Sequence, residues 1–391
     1  MTQIVGKTVY VLGAGCSHHT GAPLLGDFLV KARILMEGER DLIYKDSYKR
    51  IFGWIDELRS ASYYVEIDLD NLEHIFSLAD MLRQIGTDEG KQYFSDLRYL
   101  VMETLDRYQQ IRWKGGKYNP DDLYSQFIKN LQELNKQRRK NFVGQRTGPF
   151  EEDVIITFNY DVMLDYAMDN LIKPNYCLPI PPSSGGFKLL KLHGSLNWAK
   201  CKSCEHLQIV QASPIPAGYF PSPLLKNGDQ INFKMVTHVL KNTECEECHK
   251  KDTLEPIIIP PTWSKAIENS PLIKVWETAV EEIKNAFQLI VIGYSMPPTD
   301  TFFQYLLTLG LFSNAKLHRV VVVNKDNSED LKGRYKKVFS RSLQERGQLK
   351  FLNNKSLQKR GVQIPADEVD FRQFIGSYMR KIGSEVEWAY E

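Results

Sequence analysis

Thr157-Phe158-Asn159-Tyr160-Asp161 follows directly on the apolar run Val154-Ile155-Ile156, and His193-Gly194 follows a second run, Leu189-Leu190-Lys191-Leu192. Short apolar runs that end in Asn, Asp or His read as buried strands delivering polar side chains at their carboxyl ends. Three more runs behave the same way. Val9-Tyr10-Val11-Leu12 opens into Gly13-Ala14-Gly15-Cys16-Ser17, Leu289-Ile290-Val291-Ile292 into Gly293-Tyr294-Ser295, and Val320-Val321-Val322-Val323 into Asn324. Such runs at wide intervals, with helical patterns between them, indicate a parallel sheet covered on both faces. Ligands of open α/β sheets bind beyond the carboxyl ends of the strands, so these five ends describe one extended site.

The expected strands are 8–12, 154–158, 188–192, 257–259, 289–292 and 320–323. Between the first two lies a region of different character. Leu72, Ile75, Phe76, Ala79 and Leu82 recur at helical spacing behind Asp70 as the expected cap, and further helices are expected over 93–112 and 123–139. Residues 1–23, 151–199 and 256–391 therefore read as the nucleotide-binding α/β domain, 24–150 as a helical insertion, and 200–255 as a small loop-rich module organised by cysteines.

The 391 residues suffice for two or three domain-sized units. Lys and Arg number 50 against 48 Asp and Glu, a net charge of +2, which gives no bulk attraction to nucleic acid. Locally, Lys136, Arg138, Arg139, Lys140 and Arg146 form a basic run that reads first as a solvated helix end and second as a contact for nucleic acid or a partner. The opening residues carry no signal-peptide pattern, and no apolar run reaches the ~18 residues of a membrane span. A soluble cytoplasmic protein is the expectation.

Glycines after the first strand let a backbone approach a pyrophosphate, and amides at the next helix start can bind its oxygens. As a dinucleotide fingerprint the loop is defective, because His18 stands where a third glycine belongs. Cys201-x-x-Cys204 and Cys245-x-x-Cys248 can supply four thiolates in tetrahedral geometry, which leaves no open position and makes the metal structural. Forty residues separate the pairs, more than in common zinc ribbons. A redox dithiol, or mixed ligation using His206 or His249, is the alternative.

Taken together and in order, these motifs resemble the sirtuin fold. Gly13-Ala14-Gly15-Cys16-Ser17 with Gly21-Ala22-Pro23 is similar to the sirtuin G-A-G-x-S…G-x-P loop, Thr157 to Asp161 to its T-x-N-x-D, and His193-Gly194 to its His-Gly. The closer resemblance is to the bacterial sirtuin-like NAD hydrolases of anti-phage defence. Leu24-Leu25-Gly26 precedes Asp27-Phe28 where deacylases continue with Asp-Phe-Arg, and Gly293-Tyr294-Ser295 runs on to Asp300 as in that hydrolase branch. The resemblance implies cleavage of NAD+ to nicotinamide and ADP-ribose. Asn159 would hold the ribose hydroxyls and a water, Thr157 would support its loop, and His193 would act as general base. Asp161 would contact the nicotinamide carboxamide. Gly13, Ala14, Gly15, Ser17, Gly293, Ser295 and Asn324 would complete the cofactor site, and Cys201, Cys204, Cys245 and Cys248 would hold structural zinc.

The resemblance also implies control by homo-oligomerisation or by a separately encoded partner such as a HerA-type ATPase. Two other readings stand beside it: a regulatory subunit that binds NAD or ADP-ribose as a signal, and a deacylase or ADP-ribosyltransferase. Pro256, Pro260 and Pro261 fall where a deacylase needs a strand edge with free donors, which argues against peptide pairing. Trp263 and Lys265 are candidate pocket residues in the same stretch.

Overall fold

Thr8–Leu12 (β1) is an apolar run from Val9 on, and all five residues are buried, as a strand covered on both faces requires. The computed structural model describes residues 6–38, 41–61, 67–109, 113–114, 117–143, 151–180, 186–214, 234–259, 271–297, 300–312, 314–326, 328–352 and 371–379. The other strands, in chain order, are β2 Trp113–Lys114, β3 Lys117–Tyr118, β4 Val154–Thr157, β5 Pro174–Asn175, β6 Phe187–Lys191, β7 Gly194–Cys201 and β8 Leu207–Ile209. They continue with β9 Ser213–Pro214, β10 Lys234–Met235, β11 Leu254–Ile258, β12 Gln288–Ile292, β13 Arg319–Val323 and β14 Leu349–Leu352.

Seven of these form one sheet in the order β14-β13-β12-β1-β4-β6-β5, with every described pairing parallel. From β1 the chain builds outward through β4 and β6, then returns to build the other half from β12. The order therefore reverses between β1 and β12, where a ligand crevice is expected.

Among the described residues, five α-helices lie between β1 and β4: α1 Phe28–Gly38, α2 Lys45–Ala61, α3 Leu72–Ile85, α4 Asp88–Tyr108 and α5 Leu123–Val143. The cap of α3 is Asn71, not Asp70, because the Asn71 side chain accepts from Glu73 N while Asp70 pairs with Arg59. The insertion has a polar interior as well as an apolar one. Glu103 and Arg107 on α4 form a fully buried ion pair, and Glu103 also accepts from Ile43 N and Tyr44 N at 2.8 and 3.0 Å. A buried carboxylate with that many donors avoids the penalty of an unpaired charge.

One expected strand belongs elsewhere. The run at 257–259 lies at the end of β11, which pairs antiparallel with β7 in a separate sheet ordered β11-β7-β8. An apolar run carries no mark of its partner, and this one covers the cysteine module instead of extending the main sheet. That module holds more regular structure than its sequence shows, including α7, Val236–Asn242. The remaining helices are α6 Met163–Asp169, α8 Ile273–Lys284, α9 Thr301–Leu311 and α10 Glu329–Val338, with a helical segment at Phe371–Gln373 that continues as Phe374–Met379. Among the described residues no helix is long and apolar enough to cross a membrane.

Candidate functional site

Asn159 leaves the end of β4 on a turn that its own strand builds. Thr157 Oγ1 donates to Leu12 O at 3.0 Å and accepts from Asn159 N at 3.1 Å, so Thr157 ties the β4 turn to the end of β1. Asn159 Nδ2 then donates to Gly13 O at 3.0 Å and to Ser17 Oγ at 2.8 Å. Both amide hydrogens are engaged, and Oδ1 is the atom the side chain has left to present.

Ser17 is the hub of this network. Its hydroxyl donates to Asp161 Oδ2 at 2.5 Å and also meets Tyr124 OH at 2.7 Å. With one hydrogen given to Asp161, Ser17 accepts from both Asn159 and Tyr124, and its hydrogen-bonding capacity is filled. Asp161 is 4% exposed and accepts a further bond from Met163 N. Burial raises its carboxyl above the usual range, and the Lys191 ammonium opposes that shift. Lys191, 1% exposed, donates to Asp161 O at 2.5 Å and to Asp165 Oδ2 at 2.8 Å, while Tyr176 OH donates to Asp165 Oδ1 at 2.7 Å.

The glycine loop is packed against the loop after β12. Gly13 N donates to Ile292 O and Gly15 N to Gly293 O, both at 2.9 Å. A Cβ on Gly13 would sit 2.5 Å from Gly293 O, and one on Gly293, whose φ is +62°, would sit 2.7 Å from Cys16 N. These glycines are therefore required by the mutual approach of two loops. The amides of Cys16 and Ser17 close turns onto Gly13 O and Ala14 O. Hence the amide of Gly15 serves the contact with the β12 loop, and those of Cys16 and Ser17 serve the turn itself. Ala14 and Gly15 form its exposed rim.

His193 lies between β6 and β7, beside the same turn. Leu192 N donates to Thr157 O, Ile259 N to His193 O, and Trp276 Nε1 to Leu192 O, which fixes the backbone on three sides. The ring, on a residue 7% exposed, packs edge-on against Phe158 at 5.1 Å and tilted against Tyr160 at 5.9 Å. The residues flanking Asn159 thus shape the surroundings of His193. Beyond them, Tyr294 stacks on Phe158 at 4.9 Å and donates to Asp300 at 2.5 Å. Asn324 Nδ2 and Tyr335 OH both donate to Tyr294 O, so Asn324 anchors the β12 loop, and Ser295 stands exposed at its surface. Trp263, Lys265 and Arg146 lie outside the described residues.

The cysteines converge. The four Sγ atoms of Cys201, Cys204, Cys245 and Cys248 lie within 4.8 Å of one another, a group that could hold a metal ion. The two pairs have matching backbones. Glu205 N bonds to Cys201 O and His249 N to Cys245 O, each at 2.9 Å, and Glu205 and His249 both take positive φ, 62° and 55°. Cys201 N bonds to His206 O, and Cys245 N to Lys250 O. Two equivalent knuckles facing each other with four sulfurs suit a tetrahedral thiolate site. Neither His206 nor His249 joins the cluster among the described residues.

Fold and site together define a Rossmann-type α/β protein with a helical insertion and a four-cysteine module, the architecture expected from the sequence. No protein-family model matches the chain, and no curated protein sequence matches it. Among solved structures, a Sir2 homolog–NAD complex is 14% identical with a TM-score of 0.41, covering 97% of this chain and 91% of that one. A Sir2–p53 peptide–NAD+ complex is 14% identical at TM-score 0.41, covering 97% and 94%. A Sir2 complex with the inhibitor EX-527, 2′-O-acetyl-ADP-ribose and deacetylated p53 peptide is 15% identical at TM-score 0.39, covering 97% and 95%. The functional reading rests on this chain's own residues.

Four residues of the network carry no motif: Tyr124, Lys191, Asp165 and Tyr176. Lys191 alone left a signal, a charged residue inside a buried apolar run, which implies a buried partner.

Proposed function

We propose that the chain is an NAD+ hydrolase that releases nicotinamide and ADP-ribose. The observation carrying this reading is the fixed amide of Asn159, both hydrogens engaged and its oxygen left as acceptor, on the turn whose flanking aromatics pack on His193. Breaking the nicotinamide–ribose bond creates an oxocarbenium-like state, so the site must hold the ribose and present a nucleophile at one face. An acceptor oxygen at Asn159 orients a water or a ribose hydroxyl. His193 takes the proton that the water loses as its oxygen bonds to the ribose carbon and the nicotinamide nitrogen departs with the bonding pair. The dinucleotide would lie along the rim from Ala14 and Gly15 to Ser295. Asp161 and Ser17 support the reading chiefly by holding Asn159.

Hydrolysis is favoured over peptide deacylation by the edge strand β11. Arg98 donates to Pro256 O, and Tyr160 OH to Ile259 O at 2.7 Å. Acceptors that an extended peptide would pair with are already engaged. Zinc at the four cysteines would be structural, holding β7 against β11. The reading extends, on the resemblance stated above, to an effector of anti-phage defence controlled by homo-oligomerisation or by a HerA-type ATPase partner. An exposed apolar stripe on and beyond α9, Tyr305, Leu309 and Phe312 at 60%, 63% and 90% exposure, supports association.

The test is nicotinamide release from NAD+ by the purified chain, alone and with candidate partners. Asn159→Ala and His193→Ala should each lower it by ~100-fold or more while the melting temperature stays within a few degrees. Turnover like the wild type in a folded Asn159→Ala would sink the assignment.

A further inference from the structure

We propose that the first turn of α5, in the helical insertion, is a positioning element of this site, with Asp122 and Tyr124 as its two working residues. They reach the same loop at two points. Tyr124, 1% exposed, meets Ser17 Oγ at 2.7 Å. Since the Ser17 hydrogen goes to Asp161, the tyrosine is the donor, and Ser17 is thereby oriented as acceptor for Asn159 Nδ2. Removing the phenol hydrogen leaves Ser17 oriented by Asp161 and Asn159 alone, and loosens the contact that helps set the Asn159 oxygen.

Asp122 works through His19. Its Oδ1 accepts from Tyr124 N at 2.9 Å, which closes the first turn of α5, and its Oδ2 meets His19 Nε2 at 3.2 Å. The other ring nitrogen, Nδ1, meets Cys16 O at 2.7 Å. A carbonyl oxygen only accepts hydrogen bonds, so Nδ1 carries the hydrogen that meets Cys16 O, and Asp122 seats the ring from its other side. The groups facing it are Asp122, Tyr124 at 5.2 Å between centroids, and Phe371 at 6.1 Å, of which Asp122 alone is charged. Seated by Asp122, the ring pins the carbonyl of Cys16, the residue before Ser17. Phe371 packs on His19, Tyr124 and Phe127 together, at 5.5 Å or less from the last two, and covers the junction.

The kinetic consequence rests on the hydrolase reading; the seating of His19 does not. Tyr124→Phe conserves volume and should lower kcat for nicotinamide release by about tenfold or more, as displacement of a reacting group does, with KM within twofold and the melting temperature within a few degrees. The ring is read separately by long-range 1H–15N NMR, with the His19 signals assigned by their loss in His19→Asn. The wild type should carry hydrogen on Nδ1, the nitrogen facing the Cys16 carbonyl, and Asp122→Ala, which removes the contact at Nε2, should let the ring shift toward the Nε2–H tautomer. A wild-type His19 with its hydrogen on Nε2 alone overturns the proposal, as does wild-type kcat in Tyr124→Phe. Should the wild type release no nicotinamide under any condition, the hydrolase reading fails and the NMR arm alone decides this one.

Discussion

Lys191→Met should cost more stability than any other single change at the site that leaves the backbone alone. Lys191 is buried, and its ammonium bridges Asp161 O and Asp165 Oδ2 at 2.5 and 2.8 Å. Methionine fills much the same space but leaves the Asp165 carboxylate buried, with Tyr176 OH as its remaining donor among the described residues. Breaking one side of a buried pair costs about 3–5 kcal/mol, chiefly for the charge left behind. At about 2 °C per kcal/mol for a chain of this size, the melting temperature should fall by roughly 6–10 °C.

The effect should also reach the chemistry. Asp161 O loses its donor, and the Asp161 carboxyl, already raised by burial, loses the cation that opposed that shift. A protonated Asp161 holds the Ser17 hydroxyl less firmly, so nicotinamide release should fall as well. The assay is urea unfolding followed by circular dichroism, with the transition extrapolated linearly to water. The deciding arm is the double variant Lys191→Met with Asp165→Asn, which removes both charges and keeps the Tyr176 contact. It should recover at least ~2 kcal/mol of the loss. A Lys191→Met variant destabilised by less than ~1 kcal/mol, or a double variant no better than the single, would refute the buried-pair reasoning.

Two further outcomes follow from other parts of the molecule. The cysteine cluster should bind about one zinc per chain, and since a metal held this way is part of the folding free energy, Cys201→Ser or Cys248→Ser should unfold or aggregate the protein; metal analysis finding no zinc, with all four thiols freely reactive, would contradict this. Asp106 on α4 accepts from Thr237 N and Oγ1 at the start of α7, and burial pushes its carboxyl up to about 6. The folded state therefore holds a proton that the unfolded chain releases near pH 4. Its stabilising contribution is complete below that pH and is lost as pH rises through about 6. Relative to Asp106→Asn, the wild type should lose on the order of 3 kcal/mol across that window, and parallel stability curves for the two proteins would disprove it.

Much of the fold was legible because parallel strands buried on both faces read as unbroken apolar runs, and β1, β4, β12 and β13 are such runs. The strand at 257–259 was legible as a strand but not as a member of the β7 sheet, since apolar character does not name a partner. Asn159 and His193 stood out as polar residues at strand ends. Tyr124 did not, because a tyrosine on the apolar side of a helix is indistinguishable in sequence from a core residue until its hydroxyl finds Ser17.

The glycine loop shows where motif reading and structural cause diverge. Gly13 and Gly15 match a phosphate-binding pattern, yet the atoms that a side chain on either would strike belong first to Gly293 and Tyr294 in the neighbouring loop. A Gly13→Ala variant would therefore displace the β12 loop, and with it Tyr294, which stacks on Phe158 beside Asn159. Loss of activity in such a variant would follow whether or not a pyrophosphate ever touches the loop. Substitutions that keep both loops in place, at Asn159, His193 and Tyr124, are the ones whose kinetics report on the chemistry.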